Sequence, residues 1–293
     1  MRSLLFVPGD SEKKLAKALQ SGADVLLIDL EDSVSATHKP EARRIAADFI
    51  AQNRRTGPKL FVRLNDLETG LTEDDLAGVM PAKPDGVMLP KSNSGHDVTR
   101  LSAKLNVHEA RNGLPEGSTP IVAIVSETAA GVLSAASYQG ASDRLLGITW
   151  GAEDLSADIG ARTARDEDGR YTDAFRLARA LTVLGASAAG VAAIDTVFVD
   201  YRDTDGLAAE CAAAERDGFT AKMAIHPAQV PVINRIFTPA AEAVEEARRV
   251  VAAFAEAPDA GVLGIDGKMY DRPHLRRAER LLARADAAEG NGR

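Results

Sequence analysis

The chain has one cysteine, Cys211, in 293 residues. No disulfide framework and no thiolate metal cluster can be built from it. Cys211 stands among alanines and reads as a small helix residue rather than a reactive thiol. There is no basic run and no basic patch interleaved with aromatics, and the net charge is −8. That balance excludes a nucleic-acid surface. No apolar stretch reaches the roughly 20 residues that a membrane-spanning helix requires. The apolar stretch in MRSLLFVPGDSEKK is too short for a signal peptide. It reads as a first strand, and the expected location is cytoplasmic with no membrane contact. No GxGxxG follows that strand, which removes the dinucleotide fingerprint. EF-hand spacing, internal repeats and low-complexity tracts are absent too.

What remains is ordinary globular material, 45% hydrophobic and 27% charged. Short apolar runs recur along it: Ser3 to Val7, Val25 to Ile28, Leu60 to Val62, Gly86 to Leu89, Ile121 to Val125, Leu145 to Trp150, Val191 to Ile194 and Ala221 to Ile225. Apolar runs of this length bounded by turn residues are the mark of strands buried on both faces. Helical segments separate them, among them Ala42 to Ala51, Val98 to Leu105, Val132 to Tyr138 and Tyr171 to Gly185. Eight such strands alternating with helices predict an α/β fold of the (β/α)8 barrel type over residues 1–236; a doubly wound open sheet is the competing arrangement. Residues 237–293 form a C-terminal helical extension with a Gly-rich turn at Gly261 to Gly267, ending in a frayed GNGR tail.

Parallel barrels place their chemistry just past the strand ends. In this chain those positions are Gly9, Asp29, Glu31, Asp32, Arg63, Lys91, Glu127, Asp154, Asp195 and His226. Almost all are ionisable, an arrangement that is costly unless the charges pair or coordinate something. Glu127 and Asp154 follow consecutive strands and offer hard oxygen donors, which suit Mg²⁺ or Mn²⁺ rather than Zn²⁺. Two carboxylates suffice for Mg²⁺, which keeps waters and takes substrate oxygens. The plain alternative is that each carboxylate caps the helix that follows it. Arg63 is suited to stabilising an enolate or carboxylate oxygen, or else to an ion pair with Asp29, Glu31 or Asp32. That acidic trio is expected to orient Arg63 or metal-bound water rather than ligate directly. For His226 a structural hydrogen bond is favoured over catalysis.

The motifs RSLLFVPG (Arg2 to Gly9), DLEDSV (Asp29 to Val34), FVRLN (Phe61 to Asn65), LPKS (Leu89 to Ser92), SETAAGVL (Ser126 to Leu133) and WGAEDLSADIG (Trp150 to Gly160) occur in this order. AIDTVFVDYRD (Ala193 to Asp203), GFTAKMAIHPAQV (Gly218 to Val230) and DGKMYDRP (Asp266 to Pro273) follow. Together they resemble the citrate lyase β-subunit-like proteins of the HpcH/HpaI aldolase and malyl-CoA lyase group. The resemblance implies a barrel that binds Mg²⁺ through Glu127 and Asp154, with Arg63 meeting the substrate or its enolate. It implies a homotrimer or a pair of trimers, and in the acyl-CoA lyases an aspartate from a neighbour's C-terminal segment completes the site. Asp271 occupies that position here. Arg2, Lys17 and Lys39 are candidate contacts for CoA phosphates, with solvated surface charge as the alternative.

The expected activity is Mg²⁺-dependent carbon–carbon cleavage of a malyl- or citramalyl-type 3-hydroxyacyl-CoA to an acyl-CoA and a 2-oxo acid. In it Arg63 stabilises the enolate and Asp271 handles the proton. No organic cofactor is required, because the thioester stabilises the adjacent carbanion. The alternatives are a citrate lyase β subunit working with partner subunits, a malyl-CoA thioesterase or malate-synthase-like activity, and a non-catalytic acyl-CoA-binding barrel.

Overall fold

The computed structural model describes residues 1–54 and 57–290. The last three residues of the tail read as frayed lie outside the described residues. Eight parallel strands, β1 (Ser3–Pro8), β2 (Val25–Asp29), β3 (Lys59–Arg63), β4 (Gly86–Leu89), β5 (Ile121–Ile124), β6 (Leu145–Thr149), β7 (Ala192–Asp195) and β8 (Ala221–Ala224), close into a barrel in sequence order, with β8 returning to β1. The open-sheet alternative is thereby excluded. Around it run α1 (Glu12–Ala18), α2 (Lys39–Asn53), α3 (Thr72–Val79), α4 (Gly95–Arg111), α5 (Ala129–Leu133), α6 (Ala152–Asp158), α7 (Asp173–Ala189), α8 (Thr204–Asp217) and α9 (Val230–Phe237).

Strand alternation sorts the apolar residues into two cores. Leu4, Leu27, Phe61, Met88, Val122, Ile124, Ile194 and Met223 fill the barrel interior. Their neighbours Leu5, Ile28, Val62, Leu89 and Ile148 face the helix layer, where they meet Leu15, Ile45, Leu76, Leu101 and Phe175. Small residues make room where the interior is tight. A Cβ on Gly86 would lie 2.4 Å from the Phe61 ring, so the glycine is required by its pairing partner. Register runs unbroken from Asp29 through Arg63 to Met88, which carries the two polar residues inward at the carboxyl ends of β2 and β3.

The extension consists of α10 (Ala241–Glu256), a two-stranded antiparallel hairpin of β9 (Val262–Ile265) and β10 (Lys268–Asp271), and α11 (Arg272–Gly290). The Gly-rich turn is thus the tip of a hairpin, closed by Asp266 and Gly267 with positive φ. Val250, Phe254 and Ala278 form a small core of its own with Leu263, Tyr270 and Leu281. Among the described residues no helix is long and apolar enough to cross a membrane.

Candidate active site

The barrel mouth is built on Arg63, the last residue of β3. Its Nε and Nη2 donate to the two carboxylate oxygens of Asp29 at 2.8 and 2.7 Å, a bidentate fork across paired strands. Nη1 lies 2.9 Å from Glu31 and 3.5 Å from Asp32. Asp29 also accepts from the backbone N–H groups of Glu31 and Ser33, so the acidic turn after β2 is folded around this one carboxylate. Burial works against the charge on Asp29, but the hydrogen bonds and charge of Arg63 hold its carboxyl below the usual range. Glu31 is less well compensated. Burial pushes its carboxyl up to about 7, against the pull of Arg63 and Lys91.

Glu127 follows β5 and is 3% exposed. Burial, reinforced by the charge of Asp154, pushes its carboxyl up to about 8. It accepts a hydrogen bond from the backbone N–H of Lys91. Asp154 lies half-buried in the first turn of α6. The helix-capping alternative fails for Glu127, because Thr128 is the N-cap of α5 and accepts from Gly131. The N-cap of α6 is Gly151, and the Asp154 side chain makes no cap bond. Gly151 is also where Glu127 rests: a Cβ there would lie 2.7 Å from the Glu127 Cγ. Among the described residues no set of three His, Cys, Asp or Glu side chains converges as a metal cage. Glu127 and Asp154 are a pair of hard oxygen donors close enough for the charge of one to act on the other.

Lys91 ties the two acidic groups together. Its ammonium lies 2.6 Å from Glu31, 3.4 Å from Asp32 and 3.8 Å from Asp154, while its backbone holds Glu127. Its φ of 48° is in the left-handed region that non-glycine residues rarely adopt. Sequence reasoning placed Lys91 at a strand end but gave it no role. The signal was there in LPKS, a basic residue at the same end of the strands as three acids.

The other strand-end residues separate. Asp195 does not line the mouth. It points to the helix layer, where it takes a hydrogen bond from Trp150 Nε1 at 2.9 Å and pairs with the fully buried Lys222 at 2.7 Å. Its parity on β7 decides this, since Ile194 occupies the inward position beside it. His226 caps the turn Pro227–Gln229 and stacks on Tyr201 at 4.6 Å, the structural role that the sequence favoured. Cys211 is buried and its thiol is pushed up to about 12 by that burial, as befits an inert helix residue.

The three basic residues expected near CoA lie in different places, and Arg2 is the farthest from the mouth. It precedes β1 at the amino end of the barrel, and its guanidinium is taken by Asp24 and Thr238. A helix returning from the mouth carries Lys17 in its last turn, so that residue too sits away from the strand ends. Lys39 lines a cleft of about 320 Å³ at the mouth with Glu31, Asn65 and Lys91, yet its ammonium is already held by the Leu30 and Glu31 carbonyls and by Asn65. Asp271 ends β10 and pairs with His274 at 2.5 Å, which holds its carboxyl below the usual range. Its neighbours Tyr270 and His274 line a cavity of about 1020 Å³ together with Met1, Ala192 and Thr220, at the amino ends of the strands. Within one chain Asp271 is therefore on the opposite side of the barrel from Glu127 and Asp154.

Residues 2–227 match the family model described as HpcH/HpaI aldolase/citrate lyase. The chain belongs to this family. The HpcH/HpaI aldolase/citrate lyase family is one of carbon–carbon lyases, and this member spans nearly the full length of its relatives. It is 34% identical to the citrate lyase subunit beta of Leuconostoc mesenteroides subsp. cremoris, over 99% of this chain and 96% of that protein. It is also 34% identical to a (3S)-malyl-CoA thioesterase of Cereibacter sphaeroides, over 98% and 95%. Among solved structures, protein CitE from Mycobacterium tuberculosis in complex with magnesium, acetoacetate and coenzyme A is 35% identical; the match has a TM-score of 0.75 and covers 97% of this chain and 98% of that one.

Proposed function

We propose that the chain is a Mg²⁺-dependent lyase that cleaves a 3-hydroxyacyl-CoA of malyl or citramalyl type into an acyl-CoA and a 2-oxo acid. The observation that carries this reading is the Glu127–Asp154 pair at adjacent strand ends, in the same mouth as a guanidinium pre-set by Asp29. The donor set fits Mg²⁺, or Mn²⁺, because both groups are hard carboxylates. Glu127 is held up at about 8 by burial and by Asp154, a penalty on its charged form that a bound dication relieves. The Mycobacterium relative binds magnesium and coenzyme A, the ion and the acyl carrier that this chemistry requires, together with the small oxo acid acetoacetate.

Glu127 and Asp154 would hold the ion, which when bound supplies Lewis acidity at the carboxylate and hydroxyl oxygens of the substrate. Arg63 stabilises the enolate oxygen of the acyl-CoA as the carbon–carbon bond breaks. Its fork on Asp29 fixes the guanidinium plane before substrate arrives, so little reorganisation is needed. Glu31 titrates near neutrality and so competes only in part for Nη1. Asp271 of a neighbouring copy delivers the proton to the acyl-CoA methyl carbon in cleavage and removes it in condensation. Its distance from the mouth of its own barrel is consistent with a role in trans, which requires a homotrimer or hexamer as the working form.

Asp271→Asn is expected to leave Mg²⁺ affinity unchanged and to stop deuterium exchange at the acyl-CoA methyl group. Exchange at the original rate would assign proton transfer elsewhere. Gly151→Ala pushes on Glu127 through a 2.7 Å contact. A displaced ligand of this kind is expected to weaken Mg²⁺ binding about 10–100-fold, read by calorimetry with circular dichroism as the folding control.

The test of the reading itself is an assay of the purified chain with malyl-, citramalyl- and hydroxymethylglutaryl-CoA, with and without EDTA. EDTA-sensitive release of a 2-oxo acid with an acyl-CoA supports it. The thioesterase relative favours a second outcome, hydrolysis, which the same assay separates by free CoA. No turnover by a folded, Mg²⁺-binding chain would favour a citrate lyase β subunit that needs partners, or a barrel that only binds acyl-CoA.

A further inference from the structure

Three hydroxyls in the upper barrel are buried, at 1% exposure or less, and have no hydrogen-bond partner among the described residues: Ser126 Oγ, Thr149 Oγ1 and Thr196 Oγ1. They stand at the carboxyl ends of three consecutive strands, Thr149 as the last residue of β6, Ser126 two residues past β5 and Thr196 one past β7. Alternation sets their direction. Ser126 lies two residues beyond Ile124, Thr149 two beyond Gly147, and Thr196 two beyond Ile194. Ile124 and Ile194 belong to the interior core, and a Cβ on Gly147 would strike the Ile194 side chain. Thr149 pairs in register with Ile124 on one side and Ile194 on the other, so Ser126 and Thr196 flank it one step nearer the mouth. With strands about 4.8 Å apart and about 3.3 Å of rise per residue, neighbouring members of the trio have α-carbons about 8 Å apart.

A buried hydroxyl without a partner costs about 1–3 kcal/mol. Three of them on one inner wall form a donor surface with nothing in the fold to receive it. Ser126 directly precedes Glu127, and Thr149 is five residues before Asp154, so the wall adjoins the carboxylate pair. The mouth around it is acidic, which leaves a small, oxygen-rich anion as the natural acceptor once a cation is present. We propose that Ser126, Thr149 and Thr196 form the floor of the 2-oxo acid subsite and donate hydrogen bonds to its carboxylate and keto oxygens. This rests on the lyase reading and adds which part of the substrate these strands recognise. On this assignment the trio acts on the oxo acid and not on the acyl-CoA.

The experiment compares the wild type with Ser126→Ala, Thr149→Val and Thr196→Val. Each is titrated calorimetrically with Mg²⁺ alone, then with glyoxylate, pyruvate or oxaloacetate at saturating Mg²⁺, and each is melted. Cleavage kinetics follow on the substrate that the wild type turns over. Thr149→Val is expected to weaken 2-oxo acid binding about tenfold, the loss typical of a hydrogen bond to a charged group. Ser126→Ala and Thr196→Val are expected to weaken it severalfold. Affinity for Mg²⁺ and for acyl-CoA should be unchanged, and the melting temperature unchanged or higher, because an unsatisfied buried hydroxyl has been removed. A purely structural hydroxyl would give the reverse, a lower melting temperature with binding intact. Wild-type affinity for the oxo acids in all three variants would overturn the floor assignment while leaving the lyase reading in place. Failure of the wild type to bind any 2-oxo acid with Mg²⁺ present would overturn both.

Discussion

Glu127→Gln is expected to abolish metal-dependent cleavage and, without metal, to stabilise the protein at alkaline pH. Its carboxyl sits at about 8 in the fold against an ordinary 4.5, first because it is buried and then because Asp154 repels its charge. Between those two values the folded state keeps a proton that the unfolded chain has released. Stability from this group is therefore full below about 4.5, falls as pH rises, and is gone above about 8. Glutamine has no proton to lose. Melts of metal-free wild type and variant should diverge steadily across that window, the variant being the more stable, and run parallel above it. Adding Mg²⁺ should reverse the order, since only the wild type gains from binding. In the same window Mg²⁺ affinity of the wild type should rise up to about tenfold per pH unit, because the ion displaces the proton. Asp154→Ala should lose activity equally. Full activity in either variant would remove the metal assignment.

Arg63 carries the second large effect, and two substitutions divide it. Arg63→Ala removes the counter-charge from Asp29 and Glu31, which are 2% and 5% exposed. Breaking a buried ion pair from one side costs about 3–5 kcal/mol, so this variant is expected to melt far lower or fail to accumulate. Arg63→Lys keeps the charge but loses the planar fork that meets both oxygens of Asp29. It should fold, bind Mg²⁺ normally, and lose about 10²–10³ in kcat with a smaller change in KM, as expected for a group that acts on charge developing in the transition state. A Lys variant with wild-type kcat would leave Arg63 as a structural residue only.

The pattern of eight apolar runs each ending in turn and polar residues determined a parallel α/β sheet covered by helices and favoured the barrel, because strands buried on both faces need helices packed outside them; closure of β8 on β1 was decided by the tertiary structure. It also determined which end of the barrel carries the charges. Glu127, Asp154, Arg63 and the Asp29–Asp32 turn were legible because each lies at or within a few residues of the end of an apolar run, where a parallel barrel places its chemistry. Only the tertiary structure decided which of these residues meet. Strand parity turned Asp195 outward to Lys222, while Asp29 and Arg63 face in, a distinction of one residue that a short run without polar alternation cannot reveal. Barrel direction placed Arg2 at the end opposite the Glu127–Asp154 pair, and the fold of the extension put Asp271 on that same side of its own barrel. The left-handed backbone at Lys91 and the three unpartnered hydroxyls were likewise invisible to composition and spacing. Ser and Thr in a strand look like ordinary residues. Their meaning comes from burial and from the absence of an acceptor among the described residues, which exist only once the chain has closed around them.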